Sequence, residues 1–180
     1  MRKKIIIISG DPNSINSEII YKSWKKISNK LKKKIYFVSN FELLKSQFNK
    51  LGYSSSLKKV NNINENSNNN SLKIIDVKLK FKNPFKVEFF KASKFIIDCL
   101  NIGHELALRK DVIGMINCPI NKKLLNKKNY GITEFLAKKN NLTNKKEVML
   151  IKNNKLAVSP ITTHIDLKDV HKNIKRDLII

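Results

Sequence analysis

The 180-residue chain carries 37 Lys+Arg against 14 Asp+Glu, a formal net charge of +23. That length supports one good core, or one domain and part of another, and no apolar run reaches membrane-spanning length. A nucleic-acid stacking platform is disfavoured. The only arginines are Arg2, Arg109 and Arg176, and the lysines are scattered over every element with few aromatics between them.

The lysine excess travels with asparagine and isoleucine, a set that AT-rich codons favour together, so the charge reads as compositional drift. A field of that sign still attracts an anionic substrate. Cys99 and Cys118 form no metal or redox spacing and suit a reducing, cytoplasmic setting. Basic residues 2–4 ahead of isoleucines 5–8 resemble a secretory leader, but the apolar run is too short and ends in Gly10-Asp11-Pro12.

In chain order, residues 4–9 are a continuous β-branched run, the pattern of a buried parallel strand. Residues 10–14 turn it over. Asp11, at the strand's carboxyl end, is either a neighbour of a site or a turn-former, and the turn is favoured. A helix is predicted from Glu18 onward, with Ile20, Trp24, Ile27 and Leu31 on one face. Residues 34–39 form a second predicted strand, and 41–51 a second helix with Gly52 in the C-cap position. Strand and helix in alternation predict an α/β sheet. The low-complexity tract 54–71 has little apolar surface and is expected as a mobile surface loop. Residues 72–90 offer two short extended pieces broken at Asn83-Pro84. A long helix is predicted over 91–109, with Ala92, Phe95, Ile96, Cys99, Leu100, Leu106 and Ala107 toward the core and His104 in a structural role.

Residues 112–116 then read as a short buried strand with Gly114 inside. It stops at Asn117-Cys118-Pro119, because proline has no N–H to give a ladder. Asn121 stands where a helix N-cap belongs, ahead of Lys122, Lys123, Leu124 and Leu125. A strand ending in a polar turn that opens a helix is a place where anions bind, and a plain αβ connection uses the same grammar. A further helix is predicted over 133–139. A hairpin-like pair, 147–152 and 156–163, is predicted around Asn153-Asn154. His164 follows directly, at the carboxyl end of a strand. A last helix starts at Asp166 or Leu167 and carries Val170, Ile174 and Leu178, with His171 on its surface. An uncapped end in two isoleucines reads as a cut-off chain.

Four segments carry a resemblance: G-D-P-N-S-I-N-S-E-I (10–19), N-C-P-I-N-K (117–122), G-I-T-E-F-L-A (131–137) and T-T-H-I-D-L-K-D-V (162–170). In this order and spacing they resemble the 4-hydroxythreonine-4-phosphate dehydrogenase (PdxA-like) family of pyridoxal phosphate biosynthesis. The resemblance implies a three-layer α/β/α fold with a mostly parallel sheet, like that of isocitrate and isopropylmalate dehydrogenases. It also implies that residues 1–180 are the N-terminal part of the enzyme and that the C-terminal part is missing.

The resemblance further implies the chemistry. NAD(P) accepts hydride from 4-phosphooxy-L-threonine and the keto acid loses carbon dioxide. A divalent metal (Zn, Mg or Co) assists, and the enzyme works as a homodimer. His164 matches the family's metal-binding histidine, and Thr133 matches the threonine that binds the substrate's phosphate. Two further metal histidines, and the remaining phosphate and cofactor contacts, are expected beyond residue 180. This chain departs from the family at Ile132, where the family usually has histidine, and at Ser14, Asn16 and Ser17, where it usually has glycine, glycine and proline. The family commonly has a small residue at Cys118, which implies a steric role there. Lys122 could add positive charge, and Glu134 could serve as an acid or base or simply meet its helix dipole. There is no G-x-G-x-x-G, as expected for a family that binds NAD without that fingerprint. Two other readings stand beside this one: a relative acting on another phosphorylated hydroxy acid, for which Ile132 is the motive, and a basic nucleic-acid-binding protein.

Overall fold

A computed structural model describes residues 3–65, 70–125, 131–140, 148–162 and 165–176. The chain divides into two compact units, residues 1–131 and 132–180. In the first, β1 (Lys4–Ile8), β2 (Ile35–Ser39), β3 (Leu57–Val60), β4 (Leu72–Asp76) and β5 (Val112–Asn117) form one sheet in the order β3-β4-β2-β1-β5. Every neighbouring pair is parallel. Among the described residues, four α-helices belong to this unit: α1 (Asn16–Lys26), α2 (Asn29–Lys32), α3 (Phe41–Lys50) and α4 (Phe89–Ala107).

Alternation along the strands sets the layers. Ile35, Phe37, Leu72 and Ile74 pack with Ile20 and Trp24 of α1 and Leu44 and Phe48 of α3, with Ile5 and Ile7 against the same cluster. The other parity faces α4: a Cβ added at Gly103 would collide with Ile8 and Met115. The connections β1-α1-β2 and β4-α4-β5 cross the sheet in opposite directions, and right-handed crossovers then place α1 and α4 on opposite faces. The expected α/β/α arrangement with a parallel sheet is what the first unit shows.

Several expectations need correcting in this unit. Residues 112–116, expected as a buried strand, form β5 at the sheet edge, where Val112 is buried but Ile113 and Ile116 are exposed. Part of the tract 54–71, expected as a surface loop, is strand β3, whose Leu57 pairs with Leu72 and Val60 with Ile75. Val60 and Ile63 are buried, so two apolar side chains and a backbone ladder suffice at a sheet edge where Lys58 and Lys59 stay solvated. Residues 66–69 of that tract lie outside the described residues. The second extended piece expected within 72–90 is not a strand, and α4 begins at Phe89. The first helix breaks after Lys26, and Ser28 caps the short α2.

At the amino ends of the strands, Asp111 accepts from Lys4 Nζ at 2.7 Å and from Arg109 Nε at 2.9 Å and Nη2 at 3.2 Å. Arg109 and then Lys4 hold its carboxyl well below the usual carboxylate range. Lys73 on β4 is a different case. It is 2% exposed, donates to the Lys33 carbonyl at 2.6 Å and lies 3.9 Å from the Tyr36 ring centre. Burial lowers its pKa to about 8. The unfolded chain therefore holds more protons at this residue between about pH 8 and the free-lysine value, and stability should rise with pH across that window. Lys73→Met is expected to be more stable than the parent near neutral pH by up to about 3 kcal/mol. That advantage should shrink above about pH 8, as urea midpoints at a series of pH values will show. A pH-independent difference between the two proteins would contradict this account of Lys73.

The second unit contains α5 (Ile132–Lys139), a two-stranded antiparallel hairpin of β6 (Ile151–Lys152) and β7 (Ala157–Val158), and α6 (Val170–Asn173) after one 3-10 turn. Asn153 makes the predicted hairpin turn: its Oδ1 accepts from the N–H groups of Lys155 and Leu156 at 2.7 and 2.9 Å. The strands are two residues each, shorter than expected. The last helix is shorter too, because Ile174 turns extended at its end. No helix among the described residues is long and apolar enough to cross a membrane.

Candidate functional site

The first unit brings the opening turn and the 117–122 bend together at the carboxyl rim of the sheet. β1 and β5 are neighbours, so their exits meet: the Cys118 N–H donates to the Ile8 carbonyl at 2.9 Å, and the Asp11 N–H to the Pro119 carbonyl at 3.1 Å. Asn16 crosses between them, its Nδ2 donating to the carbonyls of Asp11 at 3.1 Å and Pro119 at 2.8 Å. It starts α1 and is buried. Where the resemblance implies glycine, this chain has a side-chain bridge.

Asp11 is the turn-former. Its Oδ1 accepts the Asn13 N–H at 2.9 Å and its carbonyl the Ser14 N–H at 3.2 Å. Two residues that sequence reasoning did not single out hold this turn from behind. Asn13 exchanges two hydrogen bonds with the Val87 backbone, at 2.9 and 2.7 Å. Gln47 donates to the carbonyls of Pro12 and Pro84, both at 2.8 Å, from a buried position on α3. The available signal was a glutamine in the apolar stripe of Leu43, Leu44 and Phe48. A polar side chain there must find partners.

Past β5 the α-helix expected after Asn121 is a single 3-10 turn, Lys122–Leu124. Asn121 does cap it, its Oδ1 accepting the Lys123 N–H at 3.1 Å. The turn is tied down by burial of Leu124 and Leu125 and by Ser93, whose hydroxyl donates to the Leu124 carbonyl at 2.6 Å. Three residues sum too few peptide dipoles to hold an anion, so the described residues of this bend do not make an anion site. Lys122 is exposed. Cys118 is buried in the core cluster, and burial pushes its thiol up to about 11. That fits a steric role, since the thiolate is the reactive form.

In the second unit, Ile132 and Thr133 are the first residues of α5. Thr133 is exposed and Ile132 is half-buried. Glu134 follows in the same turn, with a buried Oε2 that has no hydrogen-bond partner. A threonine hydroxyl beside free N–H groups at a helix start is a cradle for an anion, and the carboxylate of Glu134 opposes it. His164 lies outside the described residues, as does Thr163. Among the described residues no three His, Cys, Asp or Glu side chains come together as a metal site. His104 is on α4 and His171 on α6.

A family model described as pyridoxal phosphate biosynthetic protein PdxA matches residues 30–180. The 4-hydroxythreonine-4-phosphate dehydrogenase of Aquifex aeolicus (strain VF5) is 32% identical over 183 residues, covering 100% of this chain and 55% of its own length. That of Sulfurihydrogenibium sp. (strain YO3AOP1) is 31% identical, covering 98% and 54%. A crystal structure of 4-hydroxythreonine-4-phosphate dehydrogenase from Klebsiella pneumoniae superposes with a TM-score of 0.82 at 26% identity, over 98% of this chain and 56% of that one. The enzyme from Burkholderia phymatum, at 23% identity and a TM-score of 0.83, supports the fold. The chain spans about half the length of the curated relatives it matches. A family model over most of the chain and relatives above 30% identity from end to end carry one conclusion: the chain belongs to the PdxA family of pyridoxal phosphate biosynthetic proteins.

Proposed function

We propose that the chain acts as the N-terminal half of a 4-hydroxythreonine-4-phosphate dehydrogenase. The reaction is oxidation of 4-phosphooxy-L-threonine with decarboxylation to 3-amino-2-oxopropyl phosphate, with NAD or NADP as hydride acceptor. The observation that carries the reading is likeness to the relatives so named across the whole chain. In this reading Thr133 takes a phosphate oxygen with its hydroxyl, helped by the N–H groups at the start of α5, and His164 is one ligand of a divalent ion. The high positive charge draws the phosphorylated substrate in. The family's homodimer is part of the same proposal.

The described residues do not by themselves make a metal site, so no step is derived through the ion. They do account for placing the rim: Asn13, Asn16 and Gln47 fix the opening turn against the β5 exit. Ile132 supports a second reading, a relative acting on another phosphorylated hydroxy acid, because isoleucine donates no side-chain hydrogen bond beside Thr133.

The test pairs this chain with the remaining length of the Aquifex aeolicus relative as a second polypeptide. Formation of NADH or NADPH from 4-phosphooxy-L-threonine and a divalent ion, dependent on both polypeptides, is expected. Turnover of a different phosphorylated hydroxy acid in its place would select the second reading. No turnover, with nucleic-acid binding that falls steeply with salt, would overturn both.

A further inference from the structure

Four buried side-chain oxygens without hydrogen-bond partners gather at one place in the first unit. They are Ser9 Oγ, at the end of β1, Ser39 Oγ, at the end of β2, and Asn16 Oδ1 and Ser17 Oγ, in the first turn of α1. The four residues are between 1% and 7% exposed, and all four line the same cavity of about 10 Å³. Buried polar groups are rarely left unpaired, and four around one small space is a site rather than scatter. A second feature points the same way. The residue before α1 is Ile15, which makes no side-chain cap, so the first N–H groups of an 11-residue helix have no side-chain acceptor there.

Size and chemistry select the ligand. About 10 Å³ admits a single water-sized particle and no phosphate or carboxylate group. An anion is disfavoured because the carboxylate residue Asp11 also lines the space. A cation is disfavoured by the helix start and by the neutral donor set, three hydroxyls and one amide oxygen. Asn16 Nδ2 is committed to two carbonyls, so its Oδ1 can only accept. A water donates twice and accepts twice, and each hydroxyl can play either part. We infer that the cavity is a permanent binding site for one water molecule. That water joins the ends of β1 and β2 to the start of α1 and stands in for the missing N-cap. The inference is independent of the reaction the enzyme catalyses.

Two measurements on the intact chain test it. A crystal structure should show one ordered water about 2.7–3.0 Å from at least three of the four oxygens. Water-deuteron magnetic relaxation dispersion should count one fewer long-lived water in Ser39→Val, whose extra methyl occupies the space, than in the parent. Ser9→Ala, which removes one hydroxyl without filling the cavity, should keep the water but shorten its residence time. The inference fails if the hydroxyls turn out to pair with backbone carbonyls around a dry cavity. It fails equally if the density shows the shorter distances of a bound cation, or if the count of long-lived waters is the same in the parent and Ser39→Val.

Discussion

Gly10→Ala should cost about 3 kcal/mol or more, far more than any other single methyl added to a glycine of the first unit's turns. Two penalties coincide at this position. Its φ of +74° lies in the left-handed region, where an L side chain costs roughly 1–2 kcal/mol. The added Cβ would also stand 2.5 Å from both Asn16 Nδ2 and the Pro119 carbonyl oxygen. The carbonyl is backbone and cannot swing aside, so the overpacking adds roughly 1–3 kcal/mol. Relief would require breaking the Asn16–Pro119 and Asp11–Pro119 hydrogen bonds, which join the opening turn to the β5 exit. Gly52 is the control. Its φ is +67° with nothing within 4 Å of an added Cβ, so Gly52→Ala should lose only about 1 kcal/mol. Urea unfolding of both variants measures the difference, and equal losses would show that the rim is not locked as described.

The second large effect concerns Thr133. In the complemented enzyme, Thr133→Ala should raise KM for 4-phosphooxy-L-threonine about 10- to 100-fold, the loss of a hydrogen bond to a charged group at roughly 1.5–3 kcal/mol. Ile132→His should move KM the other way, because an imidazole N–H beside the hydroxyl adds a second donor to the phosphate. Both substitutions leave the helix intact, since position 133 is exposed and 132 half-buried. An unchanged KM in Ile132→His would mean that this position does not face the substrate.

How much of this could be read from the chain differs by element. β1 and β2 are apolar runs whose place inside a parallel sheet leaves little choice, and α4 shows its apolar face over five turns. β5 has the same apolar look but stands at the sheet edge, with Ile113 and Ile116 exposed. The edge strand β3 was illegible because L-K-K-V offers two apolar positions in an asparagine-rich tract, and only its partner β4 makes it a strand. The 3-10 turn after Asn121 carries every local mark of a helix start. What shortens it is tertiary, the seating of Leu124 and Leu125 and the Ser93 bond. At the site, Asp11 was legible as a turn residue because its bond is local. Asn13, Asn16 and Gln47 were not, because their partners lie 35 to 103 residues away. The motifs at 131–137 and 162–170 were readable only through family resemblance.

In the proposed function, Thr133 binds the substrate's phosphate and His164 a divalent ion. Hydrogen–deuterium exchange of the complemented enzyme, with and without 4-phosphooxy-L-threonine and a divalent ion, tests this most directly. The ligands are expected to slow exchange together at 131–135 and 162–166. Slowing confined to one of these segments, or slowing elsewhere in the chain with both unchanged, would contradict it.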